Sequence, residues 1–428
     1  MRRSLLSLAL ASACLTLPAL AATQADFAAE VTARVIDWRR DLHQHPELSN
    51  REFRTAKLVA EHLKSLGMEV QTGMAHTGVV GLLKGAKPGP LIALRADMDA
   101  LPVTEKVDLP FASKATDSYR GQTVGVMHAC GHDTHVAMLM GVAERLAALR
   151  NDLAGEVMFV FQPAEEGAPA GEEGGAELLL KQGLFKDRKP QAVFGMHVTS
   201  NLPAGTIGVR PGSAMASEDS FSIKIKGRQT HGSRPWNGVD PIVAAAQVIN
   251  SVQTIVSRRV DVTKAPAVVS FGAINGGIRS NIIPDEVELI GTIRSFDQDM
   301  RAHIKTLLAD TAASSAQAQG ASAETSIEQG YPVLVNDPTL VANMRPVLAS
   351  VVGKDKLVEP GLITGAEDFA FYAQQTPGMF FFLGITPPGK DPAQVASNHS
   401  PQFFVDESAL GTGVEAMTSV ALKALNTL

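Results

Sequence analysis

The chain has 428 residues, 45% of them hydrophobic and 19% charged, with a formal net charge of −6. This is a globular composition on a chain too long for one hydrophobic core, so two domains of ordinary size are expected. An acidic chain with no cluster of Lys and Arg does not suit a nucleic-acid partner.

The N-terminus reads Met1-Arg2-Arg3, then an apolar stretch from Leu5 to Leu20, then small residues at Ala19-Leu20-Ala21-Ala22. That is the form of a secretory leader over residues 1–22. The stretch is short for a membrane span, contains Pro18 and ends in an Ala-x-Ala pattern, so the expectation is export to the periplasm or beyond, with cleavage after Ala21 or Ala22 and no membrane attachment afterwards. Cleavage removes Cys14, one of the two cysteines, and leaves Cys130 with no partner for an internal disulfide. An unpaired thiol in an oxidising compartment is a liability unless it is buried or bound to a metal.

Over residues 23–216, strand-length apolar runs (Leu91–Leu94, Val157–Phe161, Ala192–Phe194) alternate with a helical pattern such as Val136–Leu149. Such alternation predicts an α/β domain built on a mostly parallel sheet covered on both faces. Near Ser217 the character changes: Phe221-Ser222-Ile223-Lys224-Ile225-Lys226 alternates apolar and polar residues, as a strand with one wet face does. A helix over Pro241–Arg258 follows, then strands at Ala267–Phe271 and Glu286–Phe296, a helix over Asp299–Gln317 and a strand at Ala323–Gln329. That order is the split pattern of a ferredoxin-like α+β domain, spanning 217–331. The run Gly272–Gly277 reads as a loop between its strands, since it lacks the Lys and following helix of a phosphate loop. After Tyr331-Pro332, buried runs such as Met379–Leu383 predict a return to the first sheet over 332–428, so the smaller domain is an insertion.

Open parallel sheets bind ligands beyond the carboxyl ends of their strands. Those ends lead here into Asp97, into Glu165-Glu166, into His197 and, through a loop, into His399, while Cys130-Gly131-His132 precedes a helix. Cys130, His132, Glu166, His197 and His399 are ligand types for zinc-like ions. Cys130 and His132 are two residues apart, which separates them on a strand or a helix, so a turn at Gly131 must bring them together. Asp133 or Thr134 is expected to cap a helix starting at Val136. Two adjacent carboxylates closing an apolar strand repel one another unless positive charge is near. In an extended segment they point opposite ways, so one can ligate a metal while the other acts as general base.

The runs Asp41-Leu42-His43-Gln44-His45-Pro46-Glu47, Arg95-Ala96-Asp97-Met98-Asp99-Ala100-Leu101-Pro102, Met127-His128-Ala129-Cys130-Gly131-His132-Asp133, Gln162-Pro163-Ala164-Glu165-Glu166-Gly167, Gly195-Met196-His197 and His399-Ser400-Pro401 follow in order along nearly the whole mature chain. Together they resemble the amidohydrolase branch of the M20 metallopeptidases, which includes aminoacylases, hippurate hydrolases and auxin-conjugate hydrolases. The resemblance implies a zinc-peptidase-like catalytic domain with two divalent ions held by Cys130 as bridge and by His132, Glu166, His197 and His399, with Glu165 as general base. It implies that the insertion is a lid and dimerisation domain, making the protein a homodimer or higher homo-oligomer. Within it, His231 would stabilise the oxyanion, and Asn281 and Arg294 would lie on the substrate side. The wider family has His-x-Asp where this chain has Arg95-Ala96-Asp97, so Asp97 is expected to orient a ligand rather than bind metal. His43, His45 and His135 read as structural. Thiolate and imidazole favour zinc, while the carboxylates admit manganese, cobalt or nickel. The substrate implied is an N-acyl or N-aroyl amino acid, hippurate-like or of the ochratoxin type. Dipeptidase or carboxypeptidase action is the alternative, and an exported metal- or conjugate-binding protein without turnover the alternative of another class.

Overall fold

The structure, a computed structural model, describes residues 16–428, with side chains from residue 26 onward. The leader expected over 1–22 falls mostly outside the described residues. Among them, no helix is long and apolar enough to cross a membrane.

The larger sheet has eight strands, in the order Glu69–Met74, Gly78–Lys84, Ala154–Gln162, Lys87–Asp97, Ala192–Pro203, Gly378–Thr386, Ile207–Gly208 and Leu357–Val358. Its centre is parallel: Lys87–Asp97 lies between Ala154–Gln162 and Ala192–Pro203, and Gly378–Thr386 continues the series beyond the latter. The first two strands form an antiparallel edge. Central strands are covered on both sides and so carry apolar residues without alternation; every residue of Gly378–Thr386 is buried. On one face Val35, Val59, Met138, Met344 and Val420, from five long helices, pack in one core. On the other, Leu179, Phe369 and Tyr372 come from two short helices, Gly175–Lys181 and Phe369–Gln375.

A separate antiparallel sheet has the order Ala267–Asn275, Glu286–Ser295, Ser217–Lys226, Ser322–Gln329. Helices Pro241–Arg258 and Gln298–Gln317 cover its apolar face, closing a second core around Phe221, Ile223, Val248, Leu289 and Leu308. Both helices start on an aspartate that accepts backbone N–H bonds, Asp240 ahead of Pro241 and Asp297 ahead of Gln298. The fold is therefore α/β with a separate ferredoxin-like unit. Arg301, fully buried, ties the chain where it enters and leaves this unit: it donates to Asp219 at 2.7 Å, to the Glu218 carbonyl at 3.2 Å and to the Gly330 carbonyl at 3.0 Å.

Two local expectations are corrected. The helix expected from Val136 starts at His132, because Gly131 takes the left-handed conformation and serves as its N-cap. Asp133 and Thr134 do not cap it; Asp133 accepts bonds from Arg39 and His43 instead. The strand expected to stop at Phe271 continues to Asn275 through an irregularity between Phe271 and Ala273, so most of the glycine-rich run is strand, not loop.

Candidate metal centre

Gly131 has φ of 96°, and a Cβ there would lie 2.4 Å from Val198 Cγ2, so only glycine fits the turn between Cys130 and His132. The loop carrying His399 is fixed to the same turn: its N–H donates to the Ala129 carbonyl at 2.7 Å, and the Asn398 amide donates to the carbonyls of Cys130 and Val198. Distant segments thus meet at one thiol. Cys130 Sγ lies 3.2 Å from His399 Nε2 and 3.4 Å from His197 Nε2. Glu166 Oε1 is 3.1 Å from His399 Nε2 and 3.9 Å from His132 Nε2, and Glu165 Oε2 is 3.8 Å from the same His132 nitrogen. The two glutamates do not diverge as neighbours in an extended segment would, because they sit in a turn after the strand and both face the cluster.

Hydrogen bonds sort the histidines. His135 Nε2 accepts from the Val198 N–H, so Nδ1 carries the proton and donates to Asp97; neither nitrogen is left for a metal. His197 Nδ1 donates to the Val198 carbonyl at 2.6 Å, which leaves the Nε2 lone pair facing Cys130. His43 bridges Asp133 and Glu105 away from the cluster, and His45 is held by the Asp41 carbonyl. Asp97 spends one oxygen on His135 and the other on Arg95, 3.6 Å from His132 Nε2.

The turn bearing the two glutamates is held by two buried carboxylates that sequence reasoning passed over. Glu52 Oε1 accepts the Ala164 N–H, and Asp99 accepts the N–H groups of Glu165 and Glu166, one on each oxygen, all at 3.0 Å. Three consecutive amides are captured, with Ala164 at φ of 54°, a conformation that needs such support. The clasp makes an asymmetric prediction. Glu52→Gln can turn its oxygen to Ala164 and its NH2 to the Thr77 hydroxyl, which reorients, and so keeps most activity. Asp99→Asn must set an NH2 against one glutamate N–H, and its kcat falls by about tenfold to a hundredfold, the cost of an orphaned buried donor. Equal kcat values for the two variants in steady-state assays would contradict the clasp.

Negative charge gathers here in excess. Burial pushes the Cys130 thiol up, and Glu166, Glu165 and Asp97 push it further. Glu165 is driven up by burial and by Glu367, Glu166 and Asp368. Burial opposes ionisation of Asp97 too, but Arg95 and the histidines outweigh it and hold that carboxyl well below the usual range. His132 Nε2 is buried without a hydrogen-bond partner, while its Nδ1 lies 3.3 Å from Asp99 Oδ1 and Glu166 Oε1 has only the His399 ring nitrogen at 3.1 Å. A buried ring nitrogen without a partner and unbalanced carboxylates fit divalent cations, which would supply the missing partner and charge.

Further carboxylates stand behind Glu165. Glu367 and Asp368 have oxygens in one group with its own, and both pair with Arg95, at 3.0 and 2.8 Å. The adjacent acidic pair Glu367-Asp368 was visible in the sequence, but it opens the helix Phe369–Gln375 rather than closing a strand as Glu165-Glu166 does. The expected substrate-side residues lie elsewhere. His231 is exposed on the smaller unit and sits beside Asn281, whose carbonyl accepts from the Gly232 N–H, while Arg294 pairs with Glu218 at 3.5 Å. Among the described residues no hydrogen bond or ion pair joins these three to the cluster.

A site of thiol, imidazole and carboxylate donors beyond the carboxyl ends of parallel strands, with a carboxylate to spare, defines a metal-dependent hydrolase with room for a dinuclear centre. Residues 93–423 match the model of peptidase family M20/M25/M40, and the chain belongs to that family. It is 41% identical to thermostable carboxypeptidase 2 of Saccharolobus solfataricus, covering 93% of this chain and 97% of that protein. It is 39% identical to N-acetylcysteine deacetylase of Bacillus subtilis, covering 92% and 98%. Among solved structures, the YXEP protein of Bacillus subtilis, described as a dinuclear metal binding peptidase of the M20 family, matches with a TM-score of 0.77 at 36% identity, covering 93% and 99%.

Proposed function

We propose that this protein is an exported amidohydrolase that cleaves the amide bond of N-acyl or N-aroyl amino acids, hippurate-like and extending to ochratoxin-like conjugates. One observation carries the choice of turnover over mere binding: Glu165 stands in the cluster beside Glu166, although holding a metal needs only one of them. Cys130, His132, Glu166, His197 and His399 would hold two divalent ions, zinc foremost, with manganese, cobalt or nickel admitted by the carboxylates. Bound ions supply Lewis acidity and make hydroxide available near neutral pH. Glu165 orients the attacking water, takes its proton and passes it to the leaving amine. Arg95, Glu367 and Asp368 hold the wall behind Glu165, and His135 orients Asp97 against the ligand shell.

His231 is the residue we assign to the oxyanion. Its Nδ1 accepts from the Ser233 N–H at 3.1 Å, so Nε2 is the protonated donor that an oxyanion needs. It reaches the site by lid closure or from a second copy. Residues 217–331 serve as that lid and as the dimerisation surface, a reading supported by exposed Trp236, Ile242, Val243, Ile274 and Ile278 on this unit. Asn281, beside His231, and Arg294 take the substrate's amino-acid half.

The name of the carboxypeptidase relative favours a second reading, removal of a C-terminal residue from peptides. A hydrolysis screen over N-acetyl and N-benzoyl amino acids and dipeptides, with and without chelator, separates the two. Turnover of N-acyl amino acids that chelator abolishes and metal restores is expected. Activity untouched by complete metal removal sinks the metal mechanism, and turnover of peptides alone transfers the assignment to the second reading.

A further inference from the structure

A cavity of about 800 Å³ opens beside the cluster of candidate metal ligands, with Glu166 in its wall. Its floor is a small apolar cluster of Leu48, Ala100 and Val126 with Ala115 packed against it, separate from the main cores. Such a volume lies in the range that takes drug-sized ligands, and an acetyl group would leave most of it empty.

Of the charges on its walls, those of Arg51 and Glu47 are already committed. Arg51 is paired with Glu172 at 2.6 Å. Both oxygens of Glu47 accept backbone N–H groups, from Arg54 and Thr55. At the exposed mouth, on the hairpin formed by Thr116–Tyr119 and Gln122–Gly125, Arg120 stands 5.4 Å from the centroid of the Tyr119 ring, and Asp117 accepts the Ser118 N–H. An amino-acid carboxylate at the floor therefore meets no available cation, since Arg51 is paired and Arg120 stands at the exposed mouth, and it faces Glu166. An uncharged group finds an apolar floor. We propose that this cavity is the acyl pocket, receiving the acyl half of the substrate and selecting bulky apolar or aromatic acyl groups over acetyl. The assignment rests on the amidohydrolase reading above and adds which half of the substrate goes where.

Ala115→Phe fills the cavity from its half-buried floor without touching the metal cluster. The expected result is a fall of about tenfold or more in the ratio of kcat/KM for N-benzoylglycine to that for N-acetylglycine. Leu101→Ala, which widens the wall, should move the ratio the other way for larger aroyl groups. An unchanged ratio in both variants overturns the proposal. So does discrimination that appears only among amino-acid halves, for example N-benzoylglycine against N-benzoylphenylalanine. Calorimetric binding of N-benzoylglycine separates this failure from failure of the amidohydrolase reading. If the wild-type protein binds it without turnover and Ala115→Phe raises Kd by about tenfold or more, the pocket stands and the reading falls. If binding is absent or unaltered by the substitution, the pocket falls.

Discussion

Glu165→Gln should lower kcat by about a hundredfold to ten-thousandfold, the range for removal of a general base, while the protein folds normally and keeps its metal. The substitution preserves shape, and the backbone at this position is held on both sides: the N–H donates to Asp99 at 3.0 Å, and the carbonyl accepts the Tyr331 hydroxyl at 2.7 Å. Glu166, Cys130 and the histidines remain in place, so elemental analysis should find wild-type metal content. Only the proton acceptor is lost, and kcat and kcat/KM should fall together. Glu165 is also the carboxyl that burial, Glu367, Glu166 and Asp368 drive upward. It becomes a competent base near neutral pH only when cations offset those charges. A Gln variant retaining more than about a tenth of wild-type kcat would lie outside the general-base range and would transfer the role to another group.

Cys130→Ser should weaken metal retention and, through it, activity. The thiol lies 3.2 and 3.4 Å from two histidine nitrogens and is buried, and its pKa is pushed up first by burial and then by Glu166, Glu165 and Asp97. A thiolate forms there only alongside a cation, and the serine hydroxyl is both a harder donor and a far weaker acid. Loss of residues that merely orient ligands costs about 10- to 100-fold in metal affinity, and loss of this ligand should exceed that. Dialysis against graded chelator, followed by metal analysis and circular dichroism, reads the effect directly. A Ser variant that keeps the wild-type metal content and secondary structure would show that the histidines and Glu166 form the cage without the sulfur.

Legible in the sequence was whatever repeats with a period or carries chemistry at a strand end. The continuous apolar runs of the first sheet and the alternation after Ser217 named two different sheets, because burial on both faces and burial on one face leave different patterns. The order of elements after Ser217 matches the observed antiparallel sheet closely, down to Pro241–Arg258. Less legible were features made by single backbone angles. Gly131 caps the helix at His132 itself, a consequence of its φ and of the closeness of Val198, and neither is a property of composition.

By itself the sequence determined that donors of the right chemistry exist, and in which order: Cys130, His132, Glu165, Glu166, His197 and His399 all follow or precede recognisable elements. Only the tertiary structure decided which of them meet, since His399 reaches Cys130 across 269 positions and Arg95 reaches Asp368 across 273. It also assigned the supporting parts. Glu52 and Asp99 are ordinary carboxylates in the sequence, and become a clasp because three amides of a distant turn are aimed at them. The physical reason is general: periodicity reports burial along one element, whereas a site is a meeting of elements, and its hydrogen bonds and charges exist only once the chain has closed on itself.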